Sequence, residues 1–292
     1  MGLAAALSLG ASLAIAQETT PQSAEQSSAD SASQGDELEF VRVKRDGKRP
    51  VALQTAIVTY RGDSPDSPEV ALIGAVHIAE PEYYSRLNQI FRQFDALLYE
   101  MVMDPDGGIP DPEERGVSPV STIQVGMKDA LGLTFQLDEI DYQADNFVHA
   151  DMTPQEFFET MNKRKEGVLQ MMLRSIGSGL AMQGSGKAND LDVLSALVSQ
   201  DREKALRRAL AEQMEMMDGQ MAALTGEDGK STLITERNAK AFQVLAEQLK
   251  AGKKKIGVFY GAGHLKDMHK RLVDEFGLHP VKTEWLDAWH LQ

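Results

Sequence analysis

Two short segments that lie far apart in the chain place a histidine directly after a glycine-rich turn. The first is Gly74-Ala-Val-His77 and the second is Gly261-Ala-Gly-His264, and each follows a compact apolar run that is typical of a buried strand. Neutral imidazole binds borderline divalent metals, and a carboxylate such as Glu100, which ends a third apolar run, adds charge and anchors a bound water. His77, His264 and Glu100 therefore form a candidate metal site.

The chemistry of such a site depends on what Glu100 does there. With three protein ligands and an open position, a metal would lower the pKa of a bound water and make that water a nucleophile. Alternatively, Glu100 is the general base beside two metal-bound histidines, and the sequence leaves both roles open. Each histidine could instead be a turn residue whose ring bonds a loop carbonyl, but the matched pair of corners favours the metal site.

A second group of polar residues offers weaker candidates. Arg237, early in a predicted helix, could pair with a substrate carboxylate, polarise a carbonyl, or be a solvated helix charge. His149 precedes a helix entry and lies either near the site or at the surface. Three further histidines are expected to be bystanders: His269, His279 and His290.

The elements that position these residues follow a repeated order. Each half of the chain reads as strand, glycine corner with histidine, helix, strand and acid, with Glu100 and Glu284 in comparable places. Ligands of open α/β sheets bind at the carboxyl ends of strands, so we expect both corners at the same edge of one sheet. Helical periodicity dominates between the halves. The sequence thus predicts a mixed α/β fold whose central mixed sheet comes from two related halves, with a large helical insertion at about residues 120–250.

The N-terminal region has a different composition. Residues 1–16 form an apolar run that ends in Ala14-Ile15-Ala16, which is typical of a signal peptide. A span needs about 20 apolar residues, so the run is short for a bilayer. We expect a periplasmic or secreted protein, or a membrane-anchored one if the leader is not cleaved. Residues 17–37 are rich in Ser, Gln and Glu and predict a flexible linker, which leaves 38–292 as a single domain.

Composition excludes several classes of function. The chain has 292 residues, of which 42% are hydrophobic, enough for a sizeable core. Its net charge of −14 argues against partners such as nucleic acid or anionic lipid, which attract basic patches. The absence of cysteine excludes disulfides, thiolate metal sites and cysteine nucleophiles. Neither a Gly-x-Ser-x-Gly elbow nor a His-Glu-x-x-His helix occurs in the sequence.

Four motifs taken together resemble a known family. Gly74-Ala-Val-His77, Tyr99-Glu100, Glu236-Arg237-Asn238 and Gly261-Ala-Gly-His264 occur in this order and at wide spacing. The chain in this respect resembles the TraB/PrgY/GumN family, which is related to the Tiki metalloproteases and more distantly to erythromycin esterase and the haem-binding ChaN-like proteins. The resemblance covers roughly residue 52 to the C-terminus.

The resemblance carries expectations about fold, cofactor and activity. It implies a mixed α/β fold with two related halves, a divalent metal (manganese or cobalt being favoured in the Tiki branch, with zinc as a further option), and cleavage of peptides near an N-terminus. His77 and His264 would be metal-site residues, Glu100 the catalytic carboxylate and Arg237 a further site residue.

Two functions from different classes follow. The first is an exported metal-dependent hydrolase, in the first place a peptidase, that acts on a peptide or small-molecule substrate. The alternative is a non-catalytic periplasmic binder that sequesters a peptide signal or a haem-like ligand, with the methionine-rich helical insertion as its groove. Esterase-like chemistry on a small molecule is a third option.

Overall fold

The structure is a computed structural model that describes residues 38–105, 107, 130–164, 199, 201–218 and 230–292. The predicted signal peptide (1–16), the predicted linker (17–37) and much of the predicted helical insertion lie outside these residues. Leu38–Gln292 form one compact unit. Within the described ranges, no helix combines the length and the apolar character needed to cross a membrane.

Strands and helices are distributed along the chain much as the apolar pattern indicates. The described strands are β1 (Val41–Asp46), β2 (Arg49–Arg61), β3 (Glu69–Ala75), β4 (Ile78–Ala79), β5 (Ala96–Tyr99), β6 (Thr134–Phe135), β7 (Phe147–His149), β8 (Lys255–Gly261) and β9 (His279–His290). The described helices are α1 (Pro81–Phe91), α2 (Gln136–Glu139), α3 (Pro154–Arg164), α4 (Arg202–Asp218), α5 (Arg237–Lys250) and α6 (Leu265–Asp274). A π-helical turn, Thr232–Glu236, leads into α5, and a 3-10 turn, Ala262–His264, leads into α6.

A seven-stranded mixed sheet forms the centre of the fold, which confirms the predicted class. Its strand order is β1-β2-β3-β8-β5-β7, with β9 also paired to β2. The pairs β3–β8, β8–β5 and β5–β7 are parallel, whereas β2 is antiparallel to β1, β3 and β9. β4 and β6 form a separate two-stranded sheet.

The parallel register brings the two glycine corners together. Ala75 pairs with Gly261 across β3 and β8, so both corners leave the sheet at the same level. Tyr99 at the end of β5 pairs with Phe259 of β8 and with His149 of β7. The prediction that both corners lie at the same edge of one sheet is therefore confirmed, and the segments after β5 and β7 emerge at that edge as well.

Helices cover both faces of the sheet, because its central strands are apolar on both sides. Side chains of a strand alternate between faces. Ala71 and Ile73 of β3 belong to a core shared with α1, while Val70 and Leu72 belong to a second core shared with α5 and α6. α1 begins with a proline at its first turn, as the sequence predicts, and buries residues at helical spacing, among them Leu87.

The two halves of the chain diverge after their helices, which corrects part of the predicted duplication. β5 runs parallel to β8, but β9 runs antiparallel along β2 and continues to His290 instead of ending near Trp285. Glu284 therefore lies within a strand, opposite Ile57, where its exposed side chain pairs with Lys282. The predicted equivalence of Glu284 and Glu100 is wrong, because only Glu100 ends a parallel strand.

Helix α4, from the predicted insertion, packs beside the sheet and is anchored at both ends. Near its C-terminus, Glu215 accepts hydrogen bonds from the Val43 amide (2.6 Å) and from Arg45 of β1. Nearer its N-terminus, Arg208 donates to the carbonyl of Leu291 (2.6 Å). These contacts hold one face of α4 over the edge of the sheet that carries the corners.

Candidate active site

The three predicted metal-site residues line one cavity. His77 follows β3, Glu100 follows β5 and His264 follows β8, and all three side chains border a cavity of about 610 Å³ at the carboxyl ends of the parallel strands. Because β8 lies between β3 and β5, His264 has Glu100 on one side and the His77 corner on the other. The sheet order thus brings together residues that are far apart in the sequence.

The Glu100 carboxylate receives donors on both oxygens. Arg237 Nη2 donates to Oε1 (2.7 Å) and the Gly261 amide donates to Oε2 (2.6 Å), while His264 Nε2 lies 3.4 Å from Oε1. Burial alone would raise the pKa of Glu100, but His264, Arg237 and the Gly261 amide together lower it well below its ordinary value. Glu100 is therefore an ionised carboxylate, and such a low pKa makes it a weak general base.

Arg237 is held from behind by Asp151, a residue that the sequence analysis did not single out. Arg237 Nε donates to Asp151 Oδ1 (2.9 Å) and Nη2 donates to Oδ2 (2.5 Å), a bidentate pair that leaves the Asp151 side chain fully buried. Burial would lower the pKa of Arg237, but Asp151 and Glu100 raise it well above its usual range. In this arrangement Arg237 links two carboxylates of the chain itself, and it is not among the described residues that line the cavity.

His264 is oriented by Asn238, the residue after Arg237. The Asn238 amide nitrogen donates to the His264 carbonyl (3.1 Å) and to Asp267 (2.9 Å), so the amide oxygen faces His264 Nδ1 at 2.7 Å. An amide oxygen only accepts hydrogen bonds, so Nδ1 carries the proton. Nε2, which faces Glu100, therefore either binds a second proton or presents an electron pair to a cation.

The corner that carries His77 is rigid even though the His77 side chain is exposed. The carbonyl groups of residues 74, 76, 77 and 78 all accept hydrogen bonds of 2.7–2.9 Å. Their donors are Tyr83, Tyr84, the Gln136 amide and Trp289, in that order. Helix α1, helix α2 and strand β9 thus fix a backbone segment whose imidazole borders the cavity.

The candidate ligands fit a divalent metal only in part. Over the described ranges, no group of three or more His, Cys, Asp or Glu side chains lies close enough together to hold a metal ion. Two of the three predicted ligands do fit: metal–ligand bonds of about 2.0–2.2 Å place neighbouring ligand atoms roughly 3 Å apart, close to the 3.4 Å between His264 Nε2 and Glu100 Oε1. Asn238 further resembles the outer partners that orient metal-binding histidines.

The remaining histidines have other partners or lie at the surface. His149 packs against the Tyr99 ring, and its Nε2 is 2.7 Å from the carbonyl of Met101. His269 Nδ1 is 2.9 Å from the Tyr60 hydroxyl, and burial lowers the pKa of His269. These contacts place both rings in the structural framework.

Comparison with known proteins adds no relative to this picture. No protein-family model matches the chain, and no curated protein matches it in sequence.

Proposed function

We propose that the chain is a metal-dependent hydrolase that cleaves peptides, with His77, His264 and Glu100 as the metal site. The observation that carries this proposal is the arrangement at His264. Its Nδ1–H donates to the Asn238 amide oxygen, and its Nε2 faces the ionised Glu100 carboxylate 3.4 Å away. Contact at this distance is favourable when a positive charge lies between the two atoms, either a second proton on the imidazole or a cation shared by Nε2 and Oε1, and we propose the shared cation.

The residues of the chain have distinct tasks in this proposal. Glu100 keeps its negative charge at neutral pH because its pKa is lowered, so it serves as an anionic ligand, and the role of general base is not assigned to it. Arg237 and Asp151 fix the carboxylate in one orientation, and Asn238 fixes the imidazole of His264. The hydrogen-bonded corner after β3 carries His77 at the border of the same cavity.

A divalent metal would supply the activation of water for attack on a carbonyl carbon, by lowering the pKa of that water. The cavity of about 610 Å³ supplies a place for the substrate next to the site. The resemblance to the TraB/PrgY/GumN family and its Tiki relatives supports peptides as the substrate class. Manganese and cobalt are the first metals to test, followed by zinc.

One observation favours the second candidate, a binder without catalysis. Glu100 already accepts two short hydrogen bonds within the protein, and apolar side chains such as Leu210 and Met214 of α4 border the cavity. A satisfied carboxylate beneath an apolar cavity is also compatible with a site that holds a peptide or a haem-like ligand and leaves it intact.

The test measures metal content and peptide cleavage on the full chain, before and after chelation and re-addition of each metal. His77→Ala and His264→Ala should lower metal affinity at least about tenfold. His279→Ala is the matched control, because His279 is exposed on β9 and is not among the residues lining the cavity. A chain that binds no divalent metal, or whose metal content is the same in all three variants, contradicts the proposal.

Glu100→Gln separates the two candidate functions. In a hydrolase this change removes the anionic ligand and abolishes metal-stimulated cleavage of a peptide library, while peptide binding can persist. In a binder the wild-type chain already shows no cleavage, and its ligand affinity survives the change.

A further inference from the structure

The cavity beside the candidate site has apolar walls. It lies between helix α4, the π-helical turn before α5, and the ends of β1 and β9. The apolar side chains that border it include Val41, Phe135, Leu210, Met214, Ile234 and Trp289. Leu210 and Met214 lie on the face of α4 that packs against the core below the cavity. These walls provide the contact surface that an apolar group of a ligand requires.

Among the described residues that border the cavity, none is a lysine or arginine that could pair with an anionic ligand. Among the described residues that line it, the polar side chains are His77, Glu100, Gln213 and His264, and no lysine or arginine is present. The Arg237 guanidinium, which contacts the cavity residue Glu100, is paired with Asp151 and Glu100, so two carboxylates face one positive charge. This group has a net charge of −1 when all three side chains are ionised, so in the metal-free chain it repels a further carboxylate.

We propose that the cavity takes an uncharged, apolar side chain of a peptide substrate, packed between α4 and Trp289, and that in the metal-free chain it rejects acidic side chains. The inference rests on the proposed function and names the substrate class of the same site. The volume of about 610 Å³ is in the range of small-molecule pockets and accommodates a leucine or phenylalanine side chain together with the adjoining backbone. Arg237, which the sequence suggested as a partner for a substrate carboxylate, does not serve as one in this arrangement.

The binding test uses capped tripeptides, N-acetyl-Ala-X-Ala-amide, in metal-free buffer, in which X is leucine, glutamine or glutamate. Leucine against glutamine measures the preference for an apolar group at similar size, and glutamine against glutamate measures the rejection of charge. The chain contains two tryptophans, so a Trp285→Phe background leaves Trp289, on the cavity wall, as the fluorescence reporter of binding. Burial of a leucine side chain predicts that the leucine peptide binds about tenfold or more tighter than the glutamate peptide.

A charge placed on the wall should change this order. Met214→Lys brings a cation into the cavity and should raise the affinity of the glutamate peptide relative to the leucine peptide about tenfold or more. Phe158→Lys is the control, because Phe158 is 60% exposed on α3 and is not among the lining residues, so the order should stay as in the parent. Thermal unfolding of each variant verifies that it is folded. If Met214→Lys does not fold, the affinities of the three peptides for the parent chain still decide the question.

The outcomes separate this inference from the proposed function. If the leucine peptide binds best but no metal-stimulated cleavage of any peptide occurs, the inference stands and the hydrolase proposal fails. If peptides are cleaved but leucine, glutamine and glutamate are bound equally well, the hydrolase stands and the inference fails. The inference also fails if none of the three peptides changes the Trp289 emission, or if Met214→Lys and Phe158→Lys alter the order alike.

Discussion

Replacing Arg237 by methionine should destabilise the fold strongly, because it leaves two carboxylates without their shared cation. The side chains of Arg237 and Glu100 are 11% and 15% exposed, and that of Asp151 is 0% exposed. Removal of one partner of a buried ion pair typically costs about 3–5 kcal/mol, since the charge left behind stays out of water. Total stabilities are about 5–15 kcal/mol, so Arg237→Met should remain folded with a much reduced margin.

The assay is urea unfolding in metal-free buffer, so that metal occupancy does not contribute to the difference. With a slope of about 1–3 kcal/mol per molar urea, the expected loss moves the midpoint by roughly 1–5 M. The source of the loss is tested by adding Asp151→Asn to Arg237→Met. Because the amide carries no charge, the double variant should be more stable than Arg237→Met alone, although each single change destabilises the wild type.

Two results would refute this reasoning. A loss below about 1 kcal/mol for Arg237→Met would mean that water or other groups replace the guanidinium without difficulty. A double variant that shows the sum of both single losses would mean that Asp151 and Arg237 are energetically independent, in spite of their bidentate contact.

Three further predictions concern glycine positions and pH. Gly261→Ala would place a Cβ 3.2 Å from Glu100 Oε2, and the φ of −50° at this position is open to any residue. The proposed peptide cleavage should therefore fall about tenfold or more, while the free energy of unfolding changes by less than about 1 kcal/mol. Gly257→Ala would place its Cβ 2.5 Å from Leu97 Cδ1 inside the sheet, and urea unfolding should show a loss of about 1–3 kcal/mol. Burial lowers the pKa of His269 in the folded state below its ordinary value of 6.5. As the pH is lowered from 6.5, the unfolded state therefore takes up the proton first, and the free energy of unfolding decreases until the pH reaches the folded-state pKa. His269→Gln should flatten this fall in urea midpoints measured from neutral to mildly acidic pH, and an unchanged slope would contradict the assignment.

The position of the site was predictable because strand ends follow from local sequence. Apolar runs followed by glycine mark where β3 and β8 end, and parallel strands align their carboxyl ends. Glu100 ends a third apolar run, and the structure brings it into contact with His264. What local patterns do not contain is the sheet order, and it is this order that makes Glu100 the neighbour of His264.

Asp151 was missed because the strand before it is short. β7 has three residues, Phe147–His149, too few for periodicity to distinguish a strand from a loop. The segment from Asp151 to Glu156 instead resembled a helix start, and this part is correct, since Thr153 and Glu156 form a reciprocal capping pair before α3. An acid two residues after the short segment Phe147–His149 was the one available signal.

Glu284 shows the opposite failure, in which a local pattern is misleading. The segment around Trp285 ends on an acid like the strand before Glu100, but apolar residues continue to Trp289, and β9 follows them. β9 pairs with β2 over nearly the full length of that strand, so long-range pairing determined where the strand ends. Local similarity between the halves therefore held for the corners and failed for the strands that follow the helices.

The sheet order also explains why the end of β8 is the centre of the site. Adjacent strands are about 4.8 Å apart, so β3 and β5 flank β8 at roughly equal distances on either side. At that central position the chain carries Gly261 and Gly263, whose backbones lack side chains and border the cavity directly. The cation that we propose between the flanking residues would need open space over β8, and side chains larger than glycine at these positions would occupy that space. The glycines of the second corner therefore matter for the space above the strand as much as for the turn.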